Sequence, residues 1–273
     1  LVQLGEIDLD QPVSTYLPEF AAAGKEAITV GDLLLHVCGL IPDNALADYE
    51  EGPDVAWKQI CELKPMAARG ERFAYSDVGF IVLGKLVERV SGKSLDRFAR
   101  DEIFLPLDMK RTTFVPNRAL AAEAAPTEQR GGRWMRGEVH DPRAYRLGGV
   151  AGHAGLFSTA GDLVRYGQMM LSKGDGGVLD PATFTTMTKR RKVPRGTRTY
   201  GWDHRSPYSS NRGESFSDAA VGHGGFTGTV IWIDPELERV FIFLSNRLHP
   251  DGKGTVNRLA GRIATLVGTL EMD

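Results

Sequence analysis

The sequence predicts an α+β fold in which an antiparallel sheet is flanked by helices and joined to a mainly helical sub-domain. Two observations predict it. Helical patterns dominate residues 1–195, whereas strand patterns are concentrated between residues 200 and 245 and are followed by one more helix. Strands and helices segregated in this way favour α+β over an alternating α/β chain. We therefore expect a mainly helical region at 1–195, antiparallel strands with a C-terminal helix at 196–273, and one cleft shared between them.

The helix at residues 78–90 has the most regular pattern of the first region. Its apolar residues follow the helical period: Val78, Ile81, Val82, Leu86 and Val90. Thr29 and Asp32 form a variant of the capping box at the start of another helix. Caps and apolar spacing predict further helices at 29–35, 55–63, 94–103, 162–171, 183–188 and 255–267. Residues 111–136 show no period, so we expect a long loop there that folds over the cleft.

Strand patterns surround the stretch GHGGFTG at residues 222–228. Two runs rich in Val, Ile, Phe and Trp lie at 230–234 and from Val240 to Ser245, and the turn and charged residues between them predict an antiparallel hairpin. A further short strand is predicted at 200–202. Four glycines in seven residues weaken a strand interior, but they let another group approach the backbone closely. We interpret residues 222–228 as a place where the backbone meets a substrate.

Composition and charge disfavour several classes of protein. The chain has 273 residues, of which 42% are apolar, enough for one large core or for two sub-domains around a cleft. The formal net charge is −2, so the overall charge does not attract nucleic acid or an anionic membrane. The basic residues at 189–195 are interpreted as a solvated loop, with a polyanion contact as the alternative. No apolar run is long enough for a membrane span, and no signal-peptide pattern opens the sequence.

The sequence predicts no cofactor and no metal. Its histidines show neither HExxH spacing nor cysteine partners, and phosphate-loop and G-x-S-x-G motifs are absent. One alternative stays open, a metal-assisted hydrolase that uses His140, Asp141 and His153. Cys38 and Cys61 are too few for a disulfide framework, so we expect free buried thiols, with a single bridge between them as the alternative.

Tyr75, Asp77 and His223 are the candidate catalytic residues. Tyr75 precedes the helix at 78–90 and Asp77 follows two residues later, so both lie near the unpaired backbone donors of a helix N-terminus. The helix dipole and a nearby cation can lower the pKa of a phenol there and make it usable as a base. Structural alternatives stand beside these roles. A tyrosine before a helix often packs, an aspartate often caps, and an isolated histidine is often exposed or hydrogen-bonded.

Four segments, taken together, resemble one family of enzymes. They are LGEIDLDQPVSTYLPEF, ITVGDLLLHVCGL, GERFAYSDVGFIVLGKLVERVSGKSL and GHGGFTGTVIWIDPE. In that order they are similar to the segment after the family's nucleophile helix, its LLTHTSGL box, its Tyr-x-Asn box and its Lys/His-Thr-Gly strand. The family is the superfamily of serine β-lactamases, penicillin-binding proteins and class C-like esterases. The resemblance covers nearly the whole chain and implies a β-lactamase/DD-peptidase-like fold.

The resemblance also implies roles for particular residues. Tyr75 would assist proton transfer to and from the nucleophile and the leaving group, and Asp77 stands where the family usually has an asparagine. The triplet His223, Gly224 and Gly225 occupies the Lys-Thr-Gly positions, and a histidine at its start is similar to the esterase and peptidase branches. The backbone N–H of Phe226 would supply one half of an oxyanion hole.

Departures from the family pattern carry their own expectations. No Ser-x-x-Lys occurs in the 273 residues, although the family's nucleophile and helper lysine lie in that motif. We therefore expect an N-terminal truncation that removes the first strands and most of the nucleophile helix, and a chain that is inactive as printed. Because the family's first strand pairs with its last, the strand from Val240 to Ser245 should form an open edge that can pair with another chain.

These expectations lead to one functional prediction and one alternative. The prediction is a serine hydrolase that acts through an acyl-enzyme on an ester or amide: a β-lactam, a peptidoglycan peptide or a short acyl ester. The alternative is a non-catalytic homologue that binds a ligand or peptidoglycan in the same cleft. Either would take a small-molecule or peptide partner, and the resemblance favours an exported protein over a cytoplasmic one.

Overall fold

The computed structural model describes residues 1–175 and 177–270. The α-helices are α1 (Val30–Leu34), α2 (Pro53–Glu62), α3 (Asp77–Ser91), α4 (Leu95–Ala99), α5 (Arg118–Glu123), α6 (Pro142–Arg146), α7 (Ala160–Leu171), α8 (Pro181–Thr188) and α9 (Asn257–Gly268). The strands are β1 (Thr113–Phe114), β2 (Gln129–Arg130), β3 (Arg133–Trp134), β4 (Leu156–Phe157), β5 (Arg191–Val193), β6 (Gly196–Arg198), β7 (Asp203–Arg205), β8 (Val221–Gly224), β9 (Val230–Asp234) and β10 (Arg239–Phe243).

The main sheet is antiparallel, with the strand order β10-β9-β8-β7-β6-β5. The predicted hairpin is confirmed, because β9 and β10 pair along their full lengths, although β10 begins one residue earlier and ends two residues earlier than expected. β10 lies at the sheet edge and pairs with β9 alone in the described part of the chain. β7 pairs with β8 only at Asp203 and Gly222, so the rest of β8 has no described strand on that side.

The prediction of a short strand at residues 200–202 is wrong. Gly201 has φ +80°, a left-handed conformation that turns the chain, and the Thr199 N–H bonds to the carbonyl of Trp202. The strand β7 begins immediately after this turn, at Asp203. A glycine-centred turn therefore displaced the extended segment by three residues.

The predicted helices are present, with adjusted ends. At α1 both bonds of the capping box form: Asp32 N–H donates to Thr29 Oγ1 (3.2 Å) and Thr29 N–H donates to Asp32 Oδ2 (2.9 Å). The helix predicted at 94–103 is α-helical only to Ala99 and continues as a π-turn, Arg100–Phe104. Ser94 makes no side-chain cap there, contrary to the prediction.

Residues 111–136 are less irregular than expected. They contain the helix α5, the strand β1 that pairs with β4, and the small hairpin of β2 and β3. Asn117 begins α5 because its side chain accepts the N–H groups of Ala119 and Leu120. The segment also reaches the strand region, where Asn246 Nδ2 donates to the carbonyl of Pro126.

Each face of the sheet is covered by helices. On one face Trp232 and Phe241 pack against Ala260 and Ala264 of α9. On the other face Ile233 and other sheet residues pack against α7 and α8. A separate core lies among α1, α2 and α3 and the N-terminal segment. The proposed division at residue 195 stays a prediction, and the first strand of the sheet begins at Arg191.

No helix in residues 1–175 and 177–270 is both long enough and apolar enough to cross a membrane. Cys38 and Cys61 are both buried free thiols, as the sequence favoured. Burial raises the pKa of each thiol to about 11, so both stay protonated near neutral pH.

Replacing Lys25 with methionine should lower the free energy of unfolding by about 3 kcal/mol or more. Lys25 is fully buried, and its Nζ donates to the carbonyls of Ala22 (2.5 Å), Cys61 (2.7 Å) and Leu63 (2.7 Å). Methionine would leave three acceptors without a donor. Urea unfolding measures the loss, and the exposed Lys64→Met is the matched control. Equal stability of both variants would show that the Lys25 bonds do not stabilise the fold.

Candidate active site

Tyr75 is held by the cap of α3. The following residue, Ser76, accepts the Gly79 N–H at its Oγ (3.1 Å) and donates the same hydroxyl to the carbonyl of Ile41 (2.7 Å). The Ser76 N–H donates to Nδ1 of His36 (3.0 Å). The backbone on the C-terminal side of Tyr75 is therefore fixed by a capped helix and a buried histidine.

His36 lies directly under Tyr75, and its role was missed by the sequence analysis. Its ring stacks between Tyr75 (centroids 4.3 Å apart) and Phe80 (4.8 Å), and its backbone has φ +57°, unusual for a residue with a side chain. Because Nδ1 accepts from Ser76, the ring proton is on Nε2. Burial, with a smaller contribution from the charge of Arg198, lowers the pKa of His36 to about 2, so the ring is neutral.

The fold brings Tyr75 and His223 together from distant parts of the sequence. The ring centroids are 5.8 Å apart, with Tyr75 at the start of α3 and His223 on β8. Tyr208, in the connection between β7 and β8, packs 5.0 Å from Tyr75 and is 52% exposed. The three rings form an aromatic cluster beside the part of β8 that β7 does not cover.

The predicted lowering of the Tyr75 pKa is wrong. Burial raises the pKa of this phenol to about 12, and the charge of Asp77 raises it further, whereas the charge of Arg198 acts in the opposite direction. Desolvation of a phenolate therefore outweighs the favourable field of the helix N-terminus. Tyr75 is a neutral phenol at pH 7 and can both donate and accept a hydrogen bond.

His223 is also neutral. Burial lowers its pKa, and the positive charge of Arg198 lowers it further. His223 Nδ1 lies 3.0 Å from the carbonyl oxygen of Gly224, which only accepts, so Nδ1 carries the proton and Nε2 is an acceptor. This imidazole can take a proton or a hydrogen bond at Nε2, but it does not supply the permanent charge of a lysine.

The glycines of β8 are required by packing inside the protein. A Cβ on Gly224 would overlap Nδ2 of Asn211, and one on Gly225 would lie 2.5 Å from Oγ1 of Thr229. Asn211 itself is held by the Trp232 indole, which donates to its Oδ1 (3.0 Å). At position 224, where the family motif has a threonine, Asn211 therefore fills the space that a side chain would take. Approach of a substrate to this backbone stays a prediction.

Phe226 lies at the end of β8 and is 69% exposed. The ring of His140 lies against it (centroids 5.6 Å apart), and the Arg247 guanidinium lies 4.2 Å from its centroid. Arg247 Nε donates to the Phe226 carbonyl (2.6 Å), whereas the Phe226 N–H has no acceptor among the described residues. That N–H is therefore available to a ligand, as the oxyanion role requires.

Asp77 belongs to a cluster that joins three parts of the chain. His153, whose side chain is 2% exposed, donates Nε2–H to Oδ1 of Asp141 (2.8 Å). The same oxygen accepts the N–H groups of Arg143 and Ala144 at the start of α6. Burial raises the pKa of Asp77 to about 6, an increase that the charge of His153 reduces. Asp77 thus changes charge near neutral pH beside a fixed imidazole and a second carboxylate.

The alternative metal set predicted from the sequence is not brought together. Possible ligand atoms of Asp77, Asp141 and His153 lie within 4.8 Å of one another, but the imidazole of His140 is not in this group. Instead, His140 Nε2 lies 3.1 Å from a carboxylate oxygen of Glu128. Burial opposes ionisation of Asp141, but hydrogen bonds from His153 and the backbone hold the pKa of Asp141 below its ordinary value. A hydrogen bond thus joins Asp141 and His153 within this cluster.

Comparison with known proteins decides the family. The model of the Beta-lactamase family matches residues 1–266. The chain belongs to the β-lactamase family. This confirms the resemblance to serine β-lactamases, penicillin-binding proteins and related esterases. Among curated relatives of this β-lactamase-family chain, an N-acetylmuramyl-L-alanine amidase of Bacillus subtilis (strain 168) is 32% identical over 283 residues, which cover 91% of this chain and 64% of the relative.

A second relative and several solved structures agree with this assignment. A putative D-alanyl-D-alanine carboxypeptidase of Salmonella agona (strain SL483) is 31% identical, with 91% of this chain and 65% of the relative covered. The chain thus spans about two-thirds of the length of these curated relatives. A penicillin-binding protein homolog from Caulobacter crescentus has a TM-score of 0.74 at 20% identity, covering 98% of this chain and 78% of that one. EstA from Arthrobacter nitroguajacolicus Rue61a has a TM-score of 0.73 at 22% sequence identity, and the match covers 98% of this chain and 80% of EstA. These structures confirm the α+β, β-lactamase/DD-peptidase-like fold.

The β-lactamase-family site contains residues that sequence patterns alone did not reveal. Asp141 and His153 were considered only as metal ligands, and Tyr208 and Arg198 were not considered. For His36 the one available signal was its place in the segment ITVGDLLLHVCGL. Their roles depend on contacts between residues that are far apart in the chain.

Proposed function

We propose that the chain forms the substrate cleft of a serine hydrolase that works through an acyl-enzyme. The observation that carries this proposal is the contact of Tyr75 with His223, together with a Phe226 N–H that has no acceptor among the described residues. A phenol that can pass a proton and a backbone donor for an oxyanion are two requirements of acyl transfer. Family membership supports the same reaction class.

In this reaction each residue would have a defined part. As a serine hydroxyl attacks the carbonyl carbon, Tyr75 would receive its proton and pass a proton to the departing group. The Phe226 N–H would stabilise the oxyanion, with Gly224 and Gly225 holding the strand in place, and His223 Nε2 would accept a hydrogen bond from the substrate. Water would then release the acyl group by the reverse proton path.

The substrate class we propose is an amide of peptidoglycan type. The names of two relatives, an N-acetylmuramyl-L-alanine amidase and a putative D-alanyl-D-alanine carboxypeptidase, both denote amide substrates. This favours a peptidoglycan amide over a short acyl ester or a β-lactam. Such a substrate also agrees with an exported location, which stays a prediction.

Labelling with a serine-directed probe tests the catalytic part of the proposal. The 273 residues contain no Ser-x-x-Lys, so we expect no covalent labelling of this chain by a fluorescent penicillin or a fluorophosphonate. Any longer product of the same gene that contains Ser-x-x-Lys should label, and its Tyr75→Phe variant should label at least about 100-fold more slowly. Labelling of the 273-residue chain, or an unlabelled longer product, would contradict the proposal.

A non-catalytic binding protein is the second candidate. The absence of Ser-x-x-Lys from the 273 residues favours it. It predicts saturable binding of a D-alanyl-D-alanine peptide with no acylation in any product of the gene. Association of another chain with the edge strand β10 also stays a prediction, which sedimentation of the purified chain would test.

A further inference from the structure

Arg198 is a fully buried cation next to the candidate site. It ends β6, opposite Asp203 of β7, at an irregularity in the strand register. Its Nη1 donates to Oδ1 of Asp203 (3.3 Å), and this is its only side-chain hydrogen bond in the described part of the chain. Nε and Nη2 are buried without acceptors. Buried donors without partners are rare and lower the stability of the fold. Their presence therefore indicates a functional role for this arginine.

The counter-charge of Arg198 is shared with other groups. Asp203 also accepts the backbone N–H of His204 (3.0 Å) and the hydroxyl of Ser209 (2.7 Å). The hydrogen bond from Arg198 to Asp203 is long, and the same carboxylate accepts two other hydrogen bonds. Asp203 therefore neutralises the guanidinium charge only in part. Those surroundings are aromatic, since the guanidinium carbon lies 5.6 Å from the ring centroid of Phe73.

Phe73 connects this cation to the candidate site. Its ring packs against Tyr208 (6.1 Å) and His36 (6.2 Å), which both pack against Tyr75. The charge of Arg198 acts on three site residues, His36, Tyr75 and His223. It is the cation with the largest effect on the Tyr75 pKa, since His223 is neutral.

We propose that Arg198 is a positioning residue of this site, the buried cation that stabilises negative charge on Tyr75 and holds His223 neutral. The inference rests on the proposed function. As the serine proton moves to Tyr75 and the Tyr75 proton moves to the leaving group, the phenolic oxygen carries partial negative charge whenever the second transfer runs ahead of the first. A buried cation stabilises that charge without entering the cleft. At the same time it disfavours a second positive charge on His223.

Histidine titration by NMR tests this in the resting chain. We expect the titration midpoint of His223, assigned with a His223→Gln variant, to lie below the ordinary value of a histidine in the wild type. In Arg198→Met its midpoint should rise by about one pH unit or more, a tenfold change in the protonation equilibrium. Arg198→Lys, which keeps the charge, should give less than half of that rise. Identical His223 titrations in the wild type and in Arg198→Met would overturn the proposal.

A second variant keeps the test valid if Arg198→Met does not fold. Asp203→Asn keeps the shape of the side chain and removes the counter-charge, so the His223 midpoint should move in the opposite direction, downwards, and the Tyr75 midpoint should fall below about 12. An unchanged or raised His223 midpoint in Asp203→Asn would overturn the proposal. Arg212→Met is the matched control, a buried arginine beside Trp232 whose loss should leave the His223 titration unchanged.

These measurements need neither nucleophile nor substrate. A failed titration test would leave the acyl-transfer proposal standing, because the titration tests only whether Arg198 controls the ionisation of His223 and Tyr75. A failed labelling test would leave the charge assignment standing, because the resting ionisation of His223 and Tyr75 would still depend on Arg198.

Discussion

Gly152→Ala should lower the free energy of unfolding by about 3 kcal/mol or more. A Cβ on Gly152 would overlap the carbonyl oxygen of Phe80 and lie 2.9 Å from its carbonyl carbon, and it would be 3.0 Å from the N atom of Gly84. These atoms belong to the backbone of α3, so no side chain can move aside. The loop would have to leave the helix, and His153 would move with it, away from Asp77. Urea unfolding measures the loss.

The matched control is Gly161→Ala in the first turn of α7. A Cβ there has no atom closer than 3.8 Å, and alanine favours the helix, so stability should stay equal or rise by up to about 1 kcal/mol. A Gly152→Ala variant as stable as the wild type would contradict the close packing of this loop on α3.

Asp77→Asn should raise the free energy of unfolding at pH 7.5 by about 2–3 kcal/mol. Burial, reduced in effect by the charge of His153, raises the pKa of Asp77 from 3.8 to about 6, so ionising this carboxylate costs stability in the folded protein. Asparagine has the same shape and no charge to desolvate. It also restores the residue that the β-lactamase family usually has at this position.

The sign of the pH dependence follows from the raised pKa. A folded-state pKa above the unfolded value contributes stability that is complete below about pH 4 and is lost as the pH rises through about 6. The gain from Asp77→Asn should therefore be absent at pH 4 and complete above about pH 7. The control Asp54→Asn removes an exposed carboxylate from the first turn of α2, where a negative charge favours the helix dipole, so it should give no gain in stability at pH 7.5. An equal gain at pH 4 and pH 7.5 would contradict the role of burial.

These two predictions describe one arrangement. Gly152 lets the loop approach α3, and the approach places His153 beside Asp77 at the start of the same helix. The stability cost of a buried carboxylate at Asp77 is the kind of cost that functional sites often carry.

Several elements could be predicted because their signals are local. The period of Val78, Ile81, Val82 and Leu86 predicted α3, and the structure places all four on its buried side. The capping box at α1 was predicted from residues three positions apart, which meet within one turn of helix. The hairpin of β9 and β10 was predicted from two apolar runs and the turn between them.

Other features could not be predicted because they depend on burial. The phenol of Tyr75 was expected to be more acidic than usual, and the structure makes it less acidic, since the surrounding rings exclude water. The turn at Gly201 replaced a predicted strand through a backbone conformation that the residue type permits but does not require. Nothing in the sequence marked Arg198 as a core residue, and it is fully buried.

The sequence by itself determined the helices of the first region, the glycine-rich strand with its hairpin, the family, and the candidates Tyr75, Asp77 and His223. Period, caps and motifs act over a few residues, so they can be read along the chain. Only the tertiary structure decided that Asp141 and His153 meet Asp77, and that Arg198 is buried against Phe73. Ionisation depends on the water and charges that surround a group, and those neighbours come from distant parts of the chain.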